Sequence, residues 1–141
     1  MVRIELEYEG DLRTRATHGP SGASMPTDAP VDNHGKGEAF SPTDLLATSL
    51  GACMITVMGI AAKKEDAVLD GARVSVQKLM TSSPPRRVAK LIVDVTIPEP
   101  CARMIDEATR GRLEHAAETC PVRLSLSPDV AVETRYLWEG A

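Results

Sequence analysis

The sequence predicts an α+β protein in which antiparallel sheets surround one long helix. Residues 42–64 are apolar or small on nearly every side, so they predict a long helix that is enclosed by protein. Several shorter stretches alternate polar and apolar residues with the period of two that is typical of strands. These stretches follow the order ββ(β)–α–ββ–α–β, and runs of strands favour antiparallel pairing. A length of 141 residues with 43% hydrophobic content predicts a single globular domain over residues 1–141.

The N-terminal part predicts a β-hairpin at residues 2–18. Apolar and charged residues alternate from Val2 to Tyr8, residues 9–11 form a turn, and the alternation then resumes. Residues 19–41 are rich in glycine and proline, which predict a loop with one short strand near residues 23–25. A loop of this length in a compact domain is more often functional than idle.

The long helix predicted at residues 42–64 has a clear start signal. Ser41 is a candidate N-cap, Pro42 suits the first helical position, and Asp44 follows three residues after the cap. By length alone the helix would also suit a membrane span. Polar residues interrupt the segment and no other segment resembles it, so a helix buried within a globular domain is favoured and no membrane partner is expected.

One chain has too few strands to surround such a helix on every side. A ridge of mostly small side chains follows the helix at spacings of three and four, formed by Ala47, Gly51, Ile55, Met58 and Ala62. Such a ridge lets a second helix approach closely. We therefore predict a homodimer with a shared core, in which the two copies of the helix lie near the symmetry axis.

Two strands, a second helix and a last strand are predicted after the long helix. The two strands fall within residues 72–97, and a proline-rich hairpin loop joins them at 83–87. Residues 102–119 predict an amphipathic helix, which Pro121 ends. A final strand is predicted at 129–138.

Composition and charge exclude several classes of function. A net charge of −4 argues against nucleic acid and anionic membranes as main partners. The N-terminal residues lack the basic region and apolar block of a signal peptide, so we expect a cytoplasmic protein. Three cysteines are too few for a disulfide framework and lack the spacing of a zinc site, so no metal or other cofactor is predicted.

Two of the three cysteines carry the predicted chemistry. Cys53 lies in the middle of the long helix, where packing as a small apolar residue is the ordinary explanation. Cys120 ends the second predicted helix on its apolar side and points to the same interior. Two inward-facing cysteines in a cytosolic chain suggest an attacking thiol and a resolving thiol. Cys101 has no visible partner and is interpreted as structural.

Three stretches of the chain match motifs of a known family. They are SPTDLLATSLGAC followed by an apolar helix, Cys120-Pro121-Val122 after an amphipathic helix, and Tyr8-Glu9-Gly10-Asp11-Leu12 in the first hairpin. By these motifs the sequence resembles the OsmC/Ohr family of osmotically inducible and organic hydroperoxide resistance proteins, and the resemblance covers nearly the whole chain. The resemblance implies an intertwined homodimer with an OsmC-like fold, the long helix buried between sheets and active sites at the subunit interface.

The resemblance also implies the activity of a thiol peroxidase that reduces organic hydroperoxides. Cys53 would attack the O–O bond and become a sulfenic acid, and Cys120 would condense with it to a disulfide. An external dithiol of lipoyl or thioredoxin type would then reduce the pair. The apolar surroundings of Cys53 favour lipid-like or aryl hydroperoxides. The alternative is a non-catalytic scaffold that binds a small molecule or a fatty-acyl group.

A buried thiol needs a nearby cation before it can ionise and attack a peroxide. The resemblance implies an arginine from the first hairpin, and Arg13 is preferred over Arg15 because it lies nearer the matching turn. Members with peroxidase activity hold this arginine with a glutamate near the start of the long helix, where this chain has Thr43. Asp44 and Glu38 are both candidates to replace that glutamate.

Overall fold

The computed structural model describes all residues of the chain, 1–141. By its internal contacts the chain divides into two compact units, Met1–Leu46 and Ala47–Ala141. Each unit contains one three-stranded sheet. The predicted α+β class with mainly antiparallel pairing is confirmed, because three of the four strand pairings are antiparallel.

The sheet of the first unit is an antiparallel meander. Its strands are β1 (Ile4–Gly10), β2 (Arg13–His18) and β3 (Ser24–Asp28), in the order β1-β2-β3. The first two lie within the hairpin predicted at 2–18. The third strand was expected near 23–25 and extends to Asp28, because Pro26 is tolerated in an edge strand.

One face of this sheet carries large apolar side chains that the chain itself leaves open. Ile4, Leu6 and Tyr8 on β1 are between 57% and 66% exposed. Met25 on β3 lies on the same side of the sheet, since it pairs with the residue of β2 that pairs with Leu6. The sheet therefore presents an apolar face that the rest of the chain does not cover.

The loop between β3 and the long helix is folded back on the sheet. The Asp28 N–H donates to the Phe40 carbonyl at 3.1 Å, and the Ala29 N–H donates to the Leu12 carbonyl at 3.2 Å. Glycine is required at Gly35, because a Cβ there would overlap the carbonyl of Ala29. The segment is thus an ordered loop with its own backbone hydrogen bonds.

The long helix α1 (Pro42–Lys64) begins with the predicted capping box. The Asp44 N–H donates to Ser41 Oγ at 3.1 Å, and the Ser41 N–H donates to Asp44 Oδ2 at 2.9 Å. By length and composition alone α1 could cross a membrane, and one third of its most apolar stretch is buried within the chain. The buried residues of α1 are Ala47, Leu50, Gly51, Met54, Met58 and Ala62.

The small-residue ridge of α1 does not face outward, which corrects the reasoning behind the predicted helix-to-helix contact. Every residue of the ridge except Ile55 is buried. Gly51 packs on strand β4 (Arg73–Met80), where an added Cβ would lie 2.8 Å from Val76 Cγ2. The ridge is small because the helix lies close to its own sheet. The opposite side of α1, which includes Ala52 and Ile60, is exposed.

The sheet of the second unit has the order β4-β5-β6, with β5 (Val88–Ile97) in the centre and β6 (Ala131–Trp138) at one edge. Alternate residues of β5 are buried, as its sequence pattern predicts. β4 and β5 are antiparallel, whereas β5 and β6 are parallel. The parallel pair departs from a purely antiparallel sheet because a helical connection crosses between the two strands.

That connection contains three helices, so the single helix predicted at 102–119 is wrong in its bounds. They are α2 (Glu99–Ala102), α3 (Glu107–Glu118) and α4 (Pro121–Ser125). Asp106 interrupts the predicted helix, since its side chain accepts the Thr109 N–H at 2.8 Å and caps α3. Pro121 begins α4, whereas the sequence predicted only that it ends the preceding helix.

Candidate active site

The second unit brings two of the three cysteines together. Cys53 is half-buried in the middle of α1, and Cys120 is completely buried at the start of α4. Both are free thiols, and Cys53 lies close enough to Cys120 to raise the pKa of the Cys120 thiol. Because they are far apart in the sequence, only the packing of α1 beside the α3–α4 connection places them side by side.

The surroundings of Cys120 favour its protonated form. Burial raises the pKa of the Cys120 thiol, and the neighbouring Cys53 raises it further. The backbone N–H of Arg123 opposes this effect by donating to Cys120 Sγ at 3.5 Å. At neutral pH Cys120 is therefore a neutral thiol, which suits a second, resolving step better than the first attack on a peroxide.

The position of Cys120 follows from the local sequence Cys-Pro. The residue before a proline is held in an extended conformation, and Cys120 has φ −66° and ψ 149°. Pro121 then occupies the first turn of α4, and the Cys120 sulfur serves as the N-cap acceptor. Sequence reasoning placed Cys120 at the end of an amphipathic helix and missed this cap, which Pro121 could have indicated.

A polar network that the sequence did not predict fixes α4 against its neighbours. Arg123 Nη1 lies 3.0 Å from Glu118 Oε2 on α3 and donates to Thr134 Oγ1 on β6 at 3.3 Å. The hydroxyl of Tyr136 donates to Glu118 Oε1 at 2.8 Å, and burial raises the pKa of Tyr136. The network holds the residue whose backbone N–H contacts Cys120 Sγ.

An arginine and two carboxylates form a separate cluster in the first unit. Arg13 begins β2, and its Nη1 lies 3.0 Å from Glu38 Oε2 and 3.6 Å from Asp28 Oδ2. Arg15 makes a different ion pair, with its Nε 3.3 Å from Glu9 Oε2. The Arg13 side chain is 30% exposed and that of Arg15 is 49% exposed. The structure thus distinguishes the two arginines, since only Arg13 has a buried carboxylate beside it.

The sequence left open whether Glu38 or Asp44 is the carboxylate that pairs with Arg13, and the contacts of this cluster distinguish the two. Glu38 is the partner of Arg13, and the two side chains form a hydrogen-bonded ion pair. Asp44 forms the capping box of α1 with Ser41. Asp28, which sequence reasoning did not select as a partner of Arg13, lies opposite Arg13 in the antiparallel ladder. The pairing of Arg13 with Asp28 could have been predicted only if the short strand near residues 23–25 had been extended to residue 28.

An apolar hollow of about 380 Å³ lies beside the C-terminal half of α1. It is lined by Thr56, Gly59, Ile60, Ala62, Lys63, Ala67, Val68, Leu69 and Asp70. Thr56 follows Cys53 by three residues on α1, about one helical turn. The hollow could therefore receive the apolar part of a small molecule near this part of the helix.

The third cysteine, Cys101, makes different contacts from those of Cys53 and Cys120. Cys101 is half-buried in α2, and its thiol donates to the Asp70 carbonyl at 3.5 Å. No group of three or more His, Cys, Asp or Glu side chains is arranged to hold a metal ion.

The chain is thus an α+β protein with one cysteine in the middle of its long helix and a second close to it. The chain belongs to the OsmC-like protein family, whose model matches residues 35–135. No curated protein matches the sequence.

Solved structures support this assignment. A protein from Psychrobacter arcticus 273-4, provisionally named for osmotic stress induction and detoxification response, is 43% identical with a TM-score of 0.88, and the match covers 96% of each chain. An organic hydroperoxide resistance protein OsmC from Legionella pneumophila has a TM-score of 0.74 at 14% identity, covering 97% of this chain and 96% of that one. The organic hydroperoxide resistance protein OhrB of Bacillus subtilis has a TM-score of 0.66 at 16% identity, covering 96% and 97%. The last two similarities show the fold alone.

Proposed function

We propose that the protein is a thiol peroxidase that reduces organic hydroperoxides to alcohols. The observation that carries the proposal is the closeness of Cys53 and Cys120, two free thiols from distant parts of the chain, since Cys53 is near enough to raise the pKa of Cys120. Membership of the OsmC-like family supports it, because structural relatives include proteins named for organic hydroperoxide resistance.

The proposed reaction has three balanced steps. The thiolate of Cys53 attacks the outer peroxide oxygen, so an S–O bond forms, the O–O bond breaks and the alkoxide takes up a proton to leave as alcohol. The Cys120 thiol then attacks the sulfenic acid, forming an S–S bond and releasing water. An external dithiol reduces this disulfide by exchange and is itself oxidised to a disulfide.

Arg13 is the cation that we assign to the first step. A guanidinium stays charged at all physiological pH values and donates several hydrogen bonds, so it can favour a thiolate and also bind a peroxide oxygen. Arg13 is partly open to solvent and is held by Glu38 on its outer side. In this proposal Glu38 takes the part of the glutamate that the family carries where this chain has Thr43.

We also propose that the protein works as a homodimer in the cytoplasm. The apolar face of the first sheet is a surface that a second copy would cover. A reducing compartment supplies dithiols and keeps both cysteines as thiols between turnovers. The partners are therefore a second copy of the chain, an organic hydroperoxide and a dithiol reductant.

The apolar hollow beside α1 supports an alkyl or aryl hydroperoxide as the substrate. Ile60, Val68 and Leu69 line it, and such side chains stabilise a hydrocarbon group more than they stabilise hydrogen peroxide. The hollow also favours the second candidate function, in which the same scaffold binds a small apolar molecule or a fatty-acyl group without turnover.

Thiol titration before and after one equivalent of cumene hydroperoxide separates the two functions. The peroxidase should lose two thiols per chain, and Cys101→Ser should lose the same two because Cys101 lies outside the pair. Cys53→Ser should lose none. Cys120→Ser should lose one and leave a sulfenic acid that dimedone traps. Unchanged thiols in the wild-type protein, together with calorimetric binding of a fatty acid, would instead support the binding function.

A further inference from the structure

Asp28 is a fully buried carboxylate at the end of β3. Its side chain is 1% exposed, whereas that of Glu38 in the same cluster is 59% exposed. Aspartate is almost never fully buried unless it is paired, because removing its charge from water is unfavourable. Its burial in a small three-stranded sheet therefore requires a reason.

The contacts of Asp28 join the arginine to the loop. Its Oδ2 lies 3.6 Å from Arg13 Nη1 and accepts the backbone N–H of Glu38 at 3.0 Å. Its Oδ1 is buried without a hydrogen-bond partner in the chain. One carboxylate oxygen thus contacts both the guanidinium and the backbone of the residue that binds this guanidinium from the other side.

We infer that Asp28 is a positioning residue that orients Arg13 for the reaction of Cys53. The inference rests on the proposed function, because it assigns Asp28 to the arginine of that site. Nothing in the sequence pattern selected this residue. Asp28 lies directly across the ladder from Arg13, so the two side chains are on the same face of the sheet.

The two carboxylates contribute unequally to the orientation of Arg13. An exposed ion pair is screened by water and by salt and stabilises a geometry only weakly. A buried carboxylate is screened less and cannot move, so it fixes the guanidinium more strongly. Asp28 also holds the Glu38 backbone, and the Arg13–Glu38 pair therefore depends on it.

A positioning role and a simple charge effect predict opposite results when the Asp28 charge is removed. If Asp28 acted only as a nearby negative charge, its removal would make the surroundings of Arg13 more positive and would speed the reaction of a thiolate. If Asp28 orients Arg13, its removal should slow that reaction. The sign of the change therefore distinguishes the two roles.

The test compares Asp28→Asn with Glu9→Gln, each in the wild-type and the Arg13→Ala background. Glu9 is the matched control because it pairs with Arg15 in the same sheet. We expect Asp28→Asn to lower the second-order rate constant for cumene hydroperoxide by about tenfold or more, as small losses of orientation do. Glu9→Gln should stay within about twofold of wild type, and in the Arg13→Ala background Asp28→Asn should have no further effect.

A second measurement separates failure of this inference from failure of the proposed function. Nitrogen-15 NMR of the arginine side chains reports whether the Arg13 guanidinium is restrained, without any need for turnover. Restraint that Asp28→Asn abolishes and Glu9→Gln keeps would support positioning even if the wild type consumed no hydroperoxide. A wild type that reacts, with an Asp28→Asn variant that reacts as fast or faster, would overturn it. If the asparagine variant fails to fold, Asp28→Ser is subject to the same two measurements.

Discussion

Replacing Gly51 with alanine tests the packing that brings the two thiols together. Gly51 is buried on α1, two residues before Cys53, and faces β4. An added Cβ would lie 2.8 Å from Val76 Cγ2 and 3.2 Å from Val74 Cγ1. Neither valine can rotate away easily, because β-branched side chains have few allowed rotamers. The helix would therefore have to move away from the sheet.

The expected change in the free energy of unfolding is the difference between the cost of overpacking and the gain in helix propensity. Overpacking of a core by one methyl group lowers the free energy of unfolding by about 1–3 kcal/mol. Alanine in place of glycine inside a helix raises it by about 1 kcal/mol. The net expectation for Gly51→Ala is a loss of about 1 kcal/mol, which for a chain of this size lowers Tm by about 2–5 °C.

Gly111 provides the matched control. It lies inside α3, it is exposed, and a Cβ there would meet nothing within 4 Å. Gly111→Ala keeps the helical gain without the overpacking and should raise the free energy of unfolding by up to about 1 kcal/mol. Both variants are measured by urea unfolding at one fixed protein concentration, since dimerisation would make stability depend on concentration.

The two substitutions should change the free energy of unfolding in opposite directions, with Gly51→Ala lowering it and Gly111→Ala raising it. A Gly51→Ala protein as stable as Gly111→Ala would show that α1 does not lie close to β4. A second consequence concerns Cys53, which moves with the helix. We expect Gly51→Ala to form the Cys53–Cys120 disulfide more slowly than wild type after one equivalent of cumene hydroperoxide, and Gly111→Ala to form it at the wild-type rate.

Three further outcomes are expected. Ser41→Ala should lower the free energy of unfolding by about 1 kcal/mol in urea, because the N-cap of α1 is lost; an unchanged value would exclude a working cap. The raised pKa of Tyr136 adds stability that is complete below about pH 10 and is lost as the pH rises further, since an unfolded tyrosine ionises there. Between pH 9 and 11, as working limits around that value, Tyr136→Phe should therefore lose less stability than wild type, and equal losses would contradict the assignment. Light scattering at micromolar concentration should give twice the chain mass of 15.1 kDa, and a monomeric mass would remove the homodimer.

Local signals in the sequence were sufficient where short-range contacts decide the structure. The capping box of Ser41 and Asp44 needs only residues three apart, and the hydrogen bonds match it. The alternation in residues 88–97 likewise gives a buried central strand, β5. The start of α3 is also a local signal, an Asp106 N-cap that was overlooked because the apolar spacing continued across it.

Packing between distant parts of the chain could not be predicted from such local signals. A ridge of small residues on α1 indicates close approach by something, and the sequence does not say whether this is a second helix or the chain's own sheet. Gly51 shows that β4 is what approaches. The parallel pairing of β6 with β5 likewise depends on the α2–α4 connection, which sets the direction in which the chain returns.

Thr43 stands where the resemblance to the family implies a glutamate, and in the proposed site Glu38 takes the part of that glutamate from the preceding loop. A carboxylate at the start of α1 would be held by the positive end of the helix dipole as well as by an arginine. Glu38 lies in an exposed loop and lacks that support, so its pairing with Arg13 depends on the loop keeping its shape. That shape rests on the buried carboxylate of Asp28 and on the close approach at Gly35. In this chain the orientation of the arginine is therefore a property of the loop rather than of the long helix.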